Sequence, residues 1–186
     1  KIRYGGYEII TEIGKNPSEN RNRGIKKAKG EIIGFIDDDA IVDKDIIKNV
    51  ENFFKKYQKI DIVGGPQLTP KNDKFFARVC GYAFASYFGT HRMRKRYSKK
   101  ELDLDADEFS LSSANCFVKK NVFKKIRGFD TRLYPGEDPE FFSRAKKNGF
   151  RLAYSPDIIV YHRRRPNLIS FFKQFYRYGL TRVKKE

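Results

Sequence analysis

The acidic residues at 37–39 have the types and spacing of a divalent-metal site. Three aspartates directly follow an apolar run, at the point where a strand would end. Carboxylate oxygens suit Mg²⁺ or Mn²⁺, and these ions also bind phosphates. Because one residue separates Asp37 from Asp39, one carboxylate can meet a metal while another reaches a ribose hydroxyl or a metal-bound water. The alternative is a solvated turn that caps the next helix, and this is what we expect of Asp43 and Asp45.

A second acidic cluster, GEDPEFF, opens a predicted helix with Glu137, Asp138 and Glu140. The N-terminus of a helix favours the charged form of a carboxylate, so helix capping alone would account for these residues. A carboxylate held ionised beside a pocket is also what a general base requires. In the sequence, the two clusters are connected only by their order in the chain.

His162 and the arginines at 163–165 form a third group. A single histidine is usually structural or solvent-facing. Beside three arginines its charged form is disfavoured, and a neutral imidazole can bind a metal. The forked donors of Arg163 and its neighbours suit phosphate. The alternative is a solvated basic turn.

Alternating strand and helix patterns position these groups and predict an α/β fold. A helix capped by Ser18 or Asn20 runs to about Lys29 and ends at Gly30. The apolar run before the three aspartates predicts a strand that is covered on both faces. We predict strands at 7–13, 31–37, 61–66 and 151–162, a strand followed by a short helix within 111–130, and helices at 43–57, 74–88, 136–150 and 166–180.

Composition and charge limit the classes of protein. The chain has 186 residues, 39% of them hydrophobic, which suits one domain with a real core. Its net charge of +17 attracts polyanions: nucleic acid, an anionic membrane surface or phosphorylated small molecules. No apolar run reaches the roughly 18 residues of a membrane-spanning helix.

Two segments combine apolar and basic residues, at 74–100 and 166–186. Each is expected to lie on an anionic membrane surface. The alternative for 74–100 is a core helix followed by a solvated loop. We therefore divide the chain into a domain at 1–165 and a basic amphipathic helix at 166–186, and expect a cytoplasmic location at the membrane face.

Two long segments resemble the family 2 glycosyltransferases. NRNRGIKKAKGEIIGFIDDDAIVDKD, at 20–45, is similar to the family's Arg-Asn-x-Gly helix, strand and DXD motif. GFDTRLYPGEDPEFFSRAKKNGFRLAYSPDIIVYH, at 128–162, is similar to its Gly-Phe-Asp segment, Glu-Asp motif and terminal strand. The resemblance implies a GT-A fold, a Rossmann-like mixed sheet flanked by helices. It also implies inverting, metal-dependent transfer from a nucleotide-diphospho-sugar, preferably a UDP-sugar, to a glycan or lipid-linked acceptor.

The same resemblance implies roles for the residues around the first cluster. Asp39 would bind Mn²⁺ or Mg²⁺ together with Asp37, and His162 would be a further metal ligand. Asp37 or Asp38 would lie near the ribose of the donor. The arginines after His162, Arg163 first, would contribute to diphosphate binding.

It also implies roles in the acceptor half. Asp138 would be the catalytic base, with Glu137 beside it shaping the acceptor site. Within SSANCF, Asn115 would line the sugar pocket. The segment QFYRYG is similar to a Gln-x-x-Arg-Trp motif that closes over the donor, with Tyr in place of Trp, and its residues would be Gln174, Arg177 and Tyr178.

One part of the family pattern is missing: the leading strand, turn and second strand that grip the nucleotide. We therefore expect an N-terminally incomplete nucleotide-binding half. Two alternatives belong to other classes. A haloacid-dehalogenase-like phosphotransferase also uses Asp-x-Asp after an apolar strand, but expects Gly-Thr or Gly-Val where Ala40-Ile41 stands. A basic nucleic-acid-binding domain would explain the charge but neither acidic cluster, so no nucleic-acid partner is expected.

Overall fold

The structure is a computed structural model that describes residues 6–133 and 135–183, with side chains as far as Tyr176. The helices are α1 (Pro17–Lys27), α2 (Ile46–Lys56), α3 (Phe75–Ala85), α4 (Tyr87–Thr90), a 3₁₀ helix (His91–Tyr97), α5 (Lys120–Ile126), α6 (Glu137–Lys147) and α7 (Leu168–Val183). The strands are β1 (Ile32–Ile36), β2 (Ala40–Val42), β3 (Ile62–Gly64), β4 (Gln67–Leu68), β5 (Asn115–Lys119), β6 (Leu152–Tyr154) and β7 (Val160–His162).

Two mixed sheets organise these elements. The large sheet has the order β1-β5-β3-β6, in which β5 runs antiparallel to both neighbours and β3 is parallel to β6. The small sheet has the order β2-β7-β4, with β2 antiparallel and β4 parallel to β7. The predicted α/β class with a mixed sheet flanked by helices is confirmed.

The core lies on both faces of the large sheet because side chains on a strand alternate between faces. On β5, Cys116 and Val118 pack on one side in a cluster with residues of α5 and α6, and Phe117 packs on the other side with residues of α2. The partners from these helices include Val122, Phe123, Phe141, Phe142, Val50 and Phe53.

The beginning of α1 differs from the prediction. Its N-cap is Asn16, whose Oδ1 accepts the backbone N–H groups of Ser18 at 3.0 Å and Glu19 at 3.4 Å. Pro17 occupies the first helical position, where its fixed φ and missing N–H are tolerated. The prediction of a cap at Ser18 or Asn20 is therefore wrong, because Pro17 already begins the helix.

The predicted strand at 7–13 is also wrong. The described residues of this segment form no strand, and Ile9 and Ile13 are exposed. Side-chain contacts attach the segment to α1 instead. Glu12 pairs with Arg23 at 3.0 Å and with Lys27 at 2.6 Å.

Three further predictions need correction. The segment 151–162 is two short strands, β6 and β7, which join different sheets on either side of a turn at 156–157. In β1, burial alternates and both Gly34 and Ile36 are exposed, so this strand is covered on one face and not on two. The predicted helix at 74–88 divides into α3 and α4 at Ser86, which caps α4 through the Gly89 N–H.

Candidate active site

The turn between β1 and β2 brings together the acids of the first cluster. The Ala40 N–H donates to the Asp37 carbonyl at 3.1 Å and closes the turn. Ala40 then pairs with His162 across the small sheet, which places the imidazole over the turn. The His162 Nε2 lies 3.1 Å from Asp39 Oδ1 and 3.7 Å from Asp37 Oδ2. Asp39 and His162, which are 123 positions apart in the chain, thus meet because β2 and β7 are neighbours.

Asp37, Asp39 and His162 can each offer one ligand atom, and these atoms lie within 4.8 Å of one another. Carboxylate oxygen and imidazole nitrogen together suit Mn²⁺ well, and Mg²⁺ through the oxygens. The three residues predicted as metal ligands therefore form one cluster whose chemistry fits the ion. Asp38, in the same turn, is exposed and contributes no atom to this cluster.

The pKa of His162 shifts in the direction opposite to the one predicted. A hydrogen bond with Asp37 raises the pKa of His162, and Asp39 adds to the effect, although burial opposes it. We predicted that the neighbouring arginines would favour the neutral ring. That prediction is wrong because the carboxylates are in direct contact with the imidazole and outweigh the arginine charge.

Arg21 on α1 connects the two acidic clusters. Its Nη1 donates to Glu137 Oε1 at 2.9 Å, and its Nη2 lies 3.7 Å from Asp37 Oδ1. Its guanidinium also stands 5.4 Å from the centroid of the Phe129 ring. Burial opposes the charge, but Asp138, Glu137 and Asp37 together raise the pKa of Arg21 above its ordinary value. Arg21 lies in the Arg-Asn-x-Gly segment, from which no role for this side chain was predicted.

A second contact from α1 fixes the segment that leads to α6. The Asn22 side chain donates to the Phe129 carbonyl and accepts the Phe129 N–H, both at 2.8 Å. At Gly128 an added Cβ would stand 1.9 Å from Asn22 Oδ1, so only glycine allows this close approach. Asn22 and Arg21 thus hold the chain before α6 and the start of α6 against the middle of α1.

Glu137 and Asp138 lie in the first turn of α6, and we call them the base cluster after the role predicted for Asp138. Gly136, at φ +123°, donates its N–H to Glu137 Oε2 at 2.9 Å. Burial and the neighbouring Asp138 raise the pKa of Glu137, whereas Arg21 opposes the shift. Asp138 Oδ2 accepts the Ser113 N–H at 3.0 Å and the Ser112 hydroxyl at 3.2 Å. Asp138 Oδ1 is buried and has no partner among the described groups.

Asn115 lies behind this site at the start of β5. It is fully buried, and its Nδ2 donates to the carbonyls of Ile158 at 2.8 Å and Pro66 at 3.2 Å. Its amide therefore connects β5 to the segments that enter β4 and β7. The Oδ1 atom is buried and unpaired among the described atoms.

The remaining predicted donor residues lie apart from this network. Arg163 is exposed, and Gln174 on α7 accepts a hydrogen bond from Arg165 at 3.3 Å. The side chains of Arg177 and Tyr178 lie outside the described part of the structure.

Arg164 is half-buried, whereas Arg163 and Arg165 are exposed. It donates to the Gln67 carbonyl and, at 3.2 Å, to Thr69 Oγ1. Its guanidinium stands 5.0 Å from the centroid of the Tyr97 ring. Side chains alternate between the two faces of a strand. If that alternation in β7 is continued into 163–165, it could have indicated that neighbouring arginines face opposite sides.

A cluster that could hold a metal ion is joined through Arg21 to the carboxylates at the start of α6, on a mixed sheet flanked by helices. The chain belongs to the glycosyltransferase-like family 2, whose family model matches residues 4–180. This membership removes the haloacid-dehalogenase alternative.

Relatives support the assignment. GgaB, a minor teichoic acid biosynthesis protein of Bacillus subtilis, is 33% identical over 140 residues, which are 71% of this chain and 14% of GgaB. The glycosyltransferase AglE of Haloferax volcanii is 27% identical over 92% of this chain and 53% of AglE. The chain therefore spans about half of AglE and a small part of GgaB.

Solved structures share the fold. S. aureus TarS 1–349 in complex with UDP-GlcNAc has a TM-score of 0.57 and 19% identity, over 82% of this chain and 40% of that one. Mannosyltransferase PcManGT from Pyrobaculum calidifontis, in complex with GDP-Man and Mn²⁺, has a TM-score of 0.53 and 15% identity, over 80% and 36%. These similarities confirm the predicted GT-A-like architecture. In the part of the chain that the structure describes, no helix is both long and apolar enough to span a membrane.

Proposed function

We propose that this chain carries the metal and base halves of an inverting, metal-dependent glycosyltransferase. The donor would be a nucleotide-diphospho-sugar and the acceptor a glycan or a lipid-linked sugar. The observation that carries the proposal is the connection through Arg21. One side chain contacts Asp37 in the metal cluster and Glu137 beside the base, so both clusters border one site.

Asp138 is the proposed base. Its Oδ2 is held by the Ser112 hydroxyl and the Ser113 N–H, so the carboxylate has a fixed orientation. In the proposed step, the acceptor hydroxyl oxygen attacks the anomeric carbon and its proton passes to Asp138. The bond from that carbon to the diphosphate oxygen breaks, and the nucleotide diphosphate leaves on the opposite face. A single displacement of this kind inverts the anomeric configuration.

Asp37, Asp39 and His162 are the residues that would hold the divalent ion. Their ligand atoms are close enough to share one ion, and their chemistry matches Mn²⁺ or Mg²⁺. When bound, such an ion supplies positive charge beside a diphosphate. Arg21 keeps Asp37 near this position, and its cation lowers the repulsion between the two acidic clusters.

The donor and acceptor classes follow from chemistry and relatives together. The ligands named for TarS and PcManGT, UDP-GlcNAc and GDP-Man with Mn²⁺, support a nucleotide-sugar and a metal. We assign exposed Asp38 to the donor ribose and exposed Arg163 to the diphosphate. Gln174, Arg177 and Tyr178 on α7 are assigned to closure over the donor. The teichoic acid role in the name of GgaB favours a cell-surface polymer as acceptor.

The test is a panel of UDP-, GDP- and dTDP-sugars, applied to the purified protein at its natural length. Thermal unfolding is measured with Mn²⁺ and with chelator. We expect one nucleotide class to raise the melting temperature only with Mn²⁺, because a ligand that binds the folded state stabilises it. The absence of a metal-dependent shift for every nucleotide would contradict the proposal.

A further inference from the structure

Two neighbouring helices, α3 and α7, expose large apolar side chains. On α3, Phe75 is 81% and Tyr82 71% exposed, and on α7, Ile169 is 70% and Phe172 71% exposed. Soluble monomers rarely leave large contiguous apolar patches in water. The other exposed members are Val79 on α3, Leu168 and Tyr176 on α7, and the completely exposed Phe88 on the short helix α4, which follows α3. We call these eight side chains the α3–α7 surface.

The two helices are in contact, so their exposed faces adjoin. Phe171 of α7 packs between Phe76 and Phe84 of α3, at ring-centroid distances of 6.2 and 5.8 Å. Phe175 also contacts Phe84, at 5.8 Å. With about 3.6 residues per turn, Phe172 and Leu168 follow Phe171 and Phe175 around α7, and Phe75 and Val79 follow Phe76 around α3. The exposed faces of both helices therefore border the same seam.

Charge indicates what covers this surface. Neither 74–100 nor 163–185 contains an acidic residue, whereas both are rich in Lys and Arg. Arg78 on α3 and Lys173 on α7 are exposed, and each follows the apolar face of its helix on the side away from the seam. Long basic side chains at the margin of an apolar face can reach anionic headgroups while their stems stay in the apolar layer.

The strongly basic 3₁₀ helix contributes less to this charge than its sequence suggests. Arg92 pairs with Asp107 at 2.6 Å and Lys95 pairs with Asp103 at 2.5 Å. Arg96 is buried and donates to the Glu108 and Phe109 carbonyls. These cations hold the acidic loop at 101–109, so the positive charge at the margin of the α3–α7 surface comes mainly from other residues.

We infer that the α3–α7 surface lies on the anionic leaflet of a membrane, with its apolar side chains in the interface and Arg78 and Lys173 at the headgroups. Apolar insertion and attraction to anionic lipid act together in such helices. A second copy of this chain would instead have to bring equal positive charge to the same place. The inference concerns a surface distinct from the metal and base clusters.

The experiment is co-sedimentation of the full chain with vesicles of phosphatidylcholine, with and without phosphatidylglycerol, in chelator and without nucleotide. We expect binding only to the anionic vesicles and a loss of binding as salt is raised. Because neither metal nor donor is present, failure of the proposed transfer activity leaves this result unaffected. Equal binding to both vesicle types, or no binding to either, would overturn the inference.

Matched variants locate the surface. Phe75→Ser and Phe172→Ser are each expected to weaken partitioning about tenfold. Ile13→Ser removes a side chain that is 89% exposed elsewhere and should leave binding unchanged. Circular dichroism checks that each variant is folded. If Ile13→Ser weakened binding as much as Phe172→Ser, the assignment to the α3–α7 surface would be wrong.

Charge reversal gives a second, independent measurement. Lys173→Glu should weaken binding to anionic vesicles about tenfold or more, whereas Lys124→Glu on α5 makes the same charge change at an exposed site on another helix. Equal losses in the two variants would mean that only net charge matters. Light scattering in parallel would overturn the inference if the chain were a dimer that Phe172→Ser dissociates, because the surface would then join two copies.

Discussion

The metal cluster and the base cluster differ in how fully the protein satisfies their acids. Asp37 and Asp39 have side chains that are 36% and 64% exposed, and their protein contacts are an imidazole and a distant guanidinium. Glu137 is only 7% exposed and accepts a guanidinium and a backbone N–H. Asp138 accepts a backbone N–H and a hydroxyl.

This difference suits the two roles that we propose for the clusters. A cluster that receives a metal and a diphosphate must stay open and keep unsatisfied oxygens. A base must keep a fixed direction, so its surroundings are built in advance. Arg21 contacts Asp37 in the metal cluster and Glu137 in the base cluster. We therefore expect a change in one cluster to affect the other through Arg21.

The largest effect is expected from Asp138→Asn. The variant keeps an oxygen that can accept the Ser113 N–H but loses the capacity to take a proton. We expect transfer to fall about 10²- to 10⁴-fold, while binding of donor and Mn²⁺ is unchanged. The measurement is the initial rate of sugar transfer with saturating donor, together with calorimetry of donor binding.

Glu140→Gln is the matched control, because Glu140 lies in the same first turn of α6 but faces Arg144, at 2.6 Å. Its rate of transfer should remain close to that of the unchanged protein. Normal turnover by Asp138→Asn would show that Asp138 is not the base. The proposed difference between an oriented base and an open metal cluster would then be wrong.

The next largest effect is expected from Arg21→Gln, as a loss of stability. Glu137 would keep its burial but lose its cation, which costs about 3 kcal/mol at neutral pH. Because burial and Asp138 already raise the pKa of Glu137, removing Arg21 raises it further. Because the pKa of Glu137 is higher in the folded chain than in the unfolded chain, its contribution to the free energy of unfolding is fully present below the unfolded-state pKa. That contribution is lost as pH rises through the folded-state pKa.

Thermal unfolding as a function of pH checks this sign. The difference between Arg21→Gln and the unchanged chain should be smallest at mildly acidic pH and largest near neutrality. Arg23→Gln makes the same change on α1, but its partner Glu12 keeps Lys27, so its difference should be much smaller. A pH-independent difference for Arg21→Gln would show that Glu137 is not the group left unpaired.

The sequence could predict the order of elements and the acids, because both depend on local patterns. The apolar face of α2, with Val50, Phe53 and Phe54, follows directly from helical spacing, and it is observed. Asp43 and Asp45 directly precede α2, and Asp43 accepts the Asp45 N–H at 3.0 Å, but the N-cap residue Asp45 makes no side-chain capping hydrogen bond. The glycosyltransferase family follows from several motifs in a fixed order.

The rest depended on contacts that sequence spacing does not encode. Arg21 and Glu137 are 116 positions apart, and only the packing of α1 beside α6 brings them together. The protonation preference of His162 was wrong because its neighbours in sequence are arginines, while its neighbours in space are aspartates. The predicted strand at 7–13 was wrong because the local sequence does not show whether a neighbouring strand is available to pair with it.

The most direct test of the account is Mn²⁺ binding to the chain alone, measured by calorimetry for Asp39→Asn and Asp45→Asn. The two substitutions remove the same charge six positions apart, but only Asp39 offers an atom to the cluster with His162. Loss of an outer contact typically weakens metal binding about 10- to 100-fold, so Asp39→Asn should weaken it at least that much while Asp45→Asn leaves it unchanged. Equal affinities for the two variants would contradict the assignment of Asp37, Asp39 and His162 as the metal site.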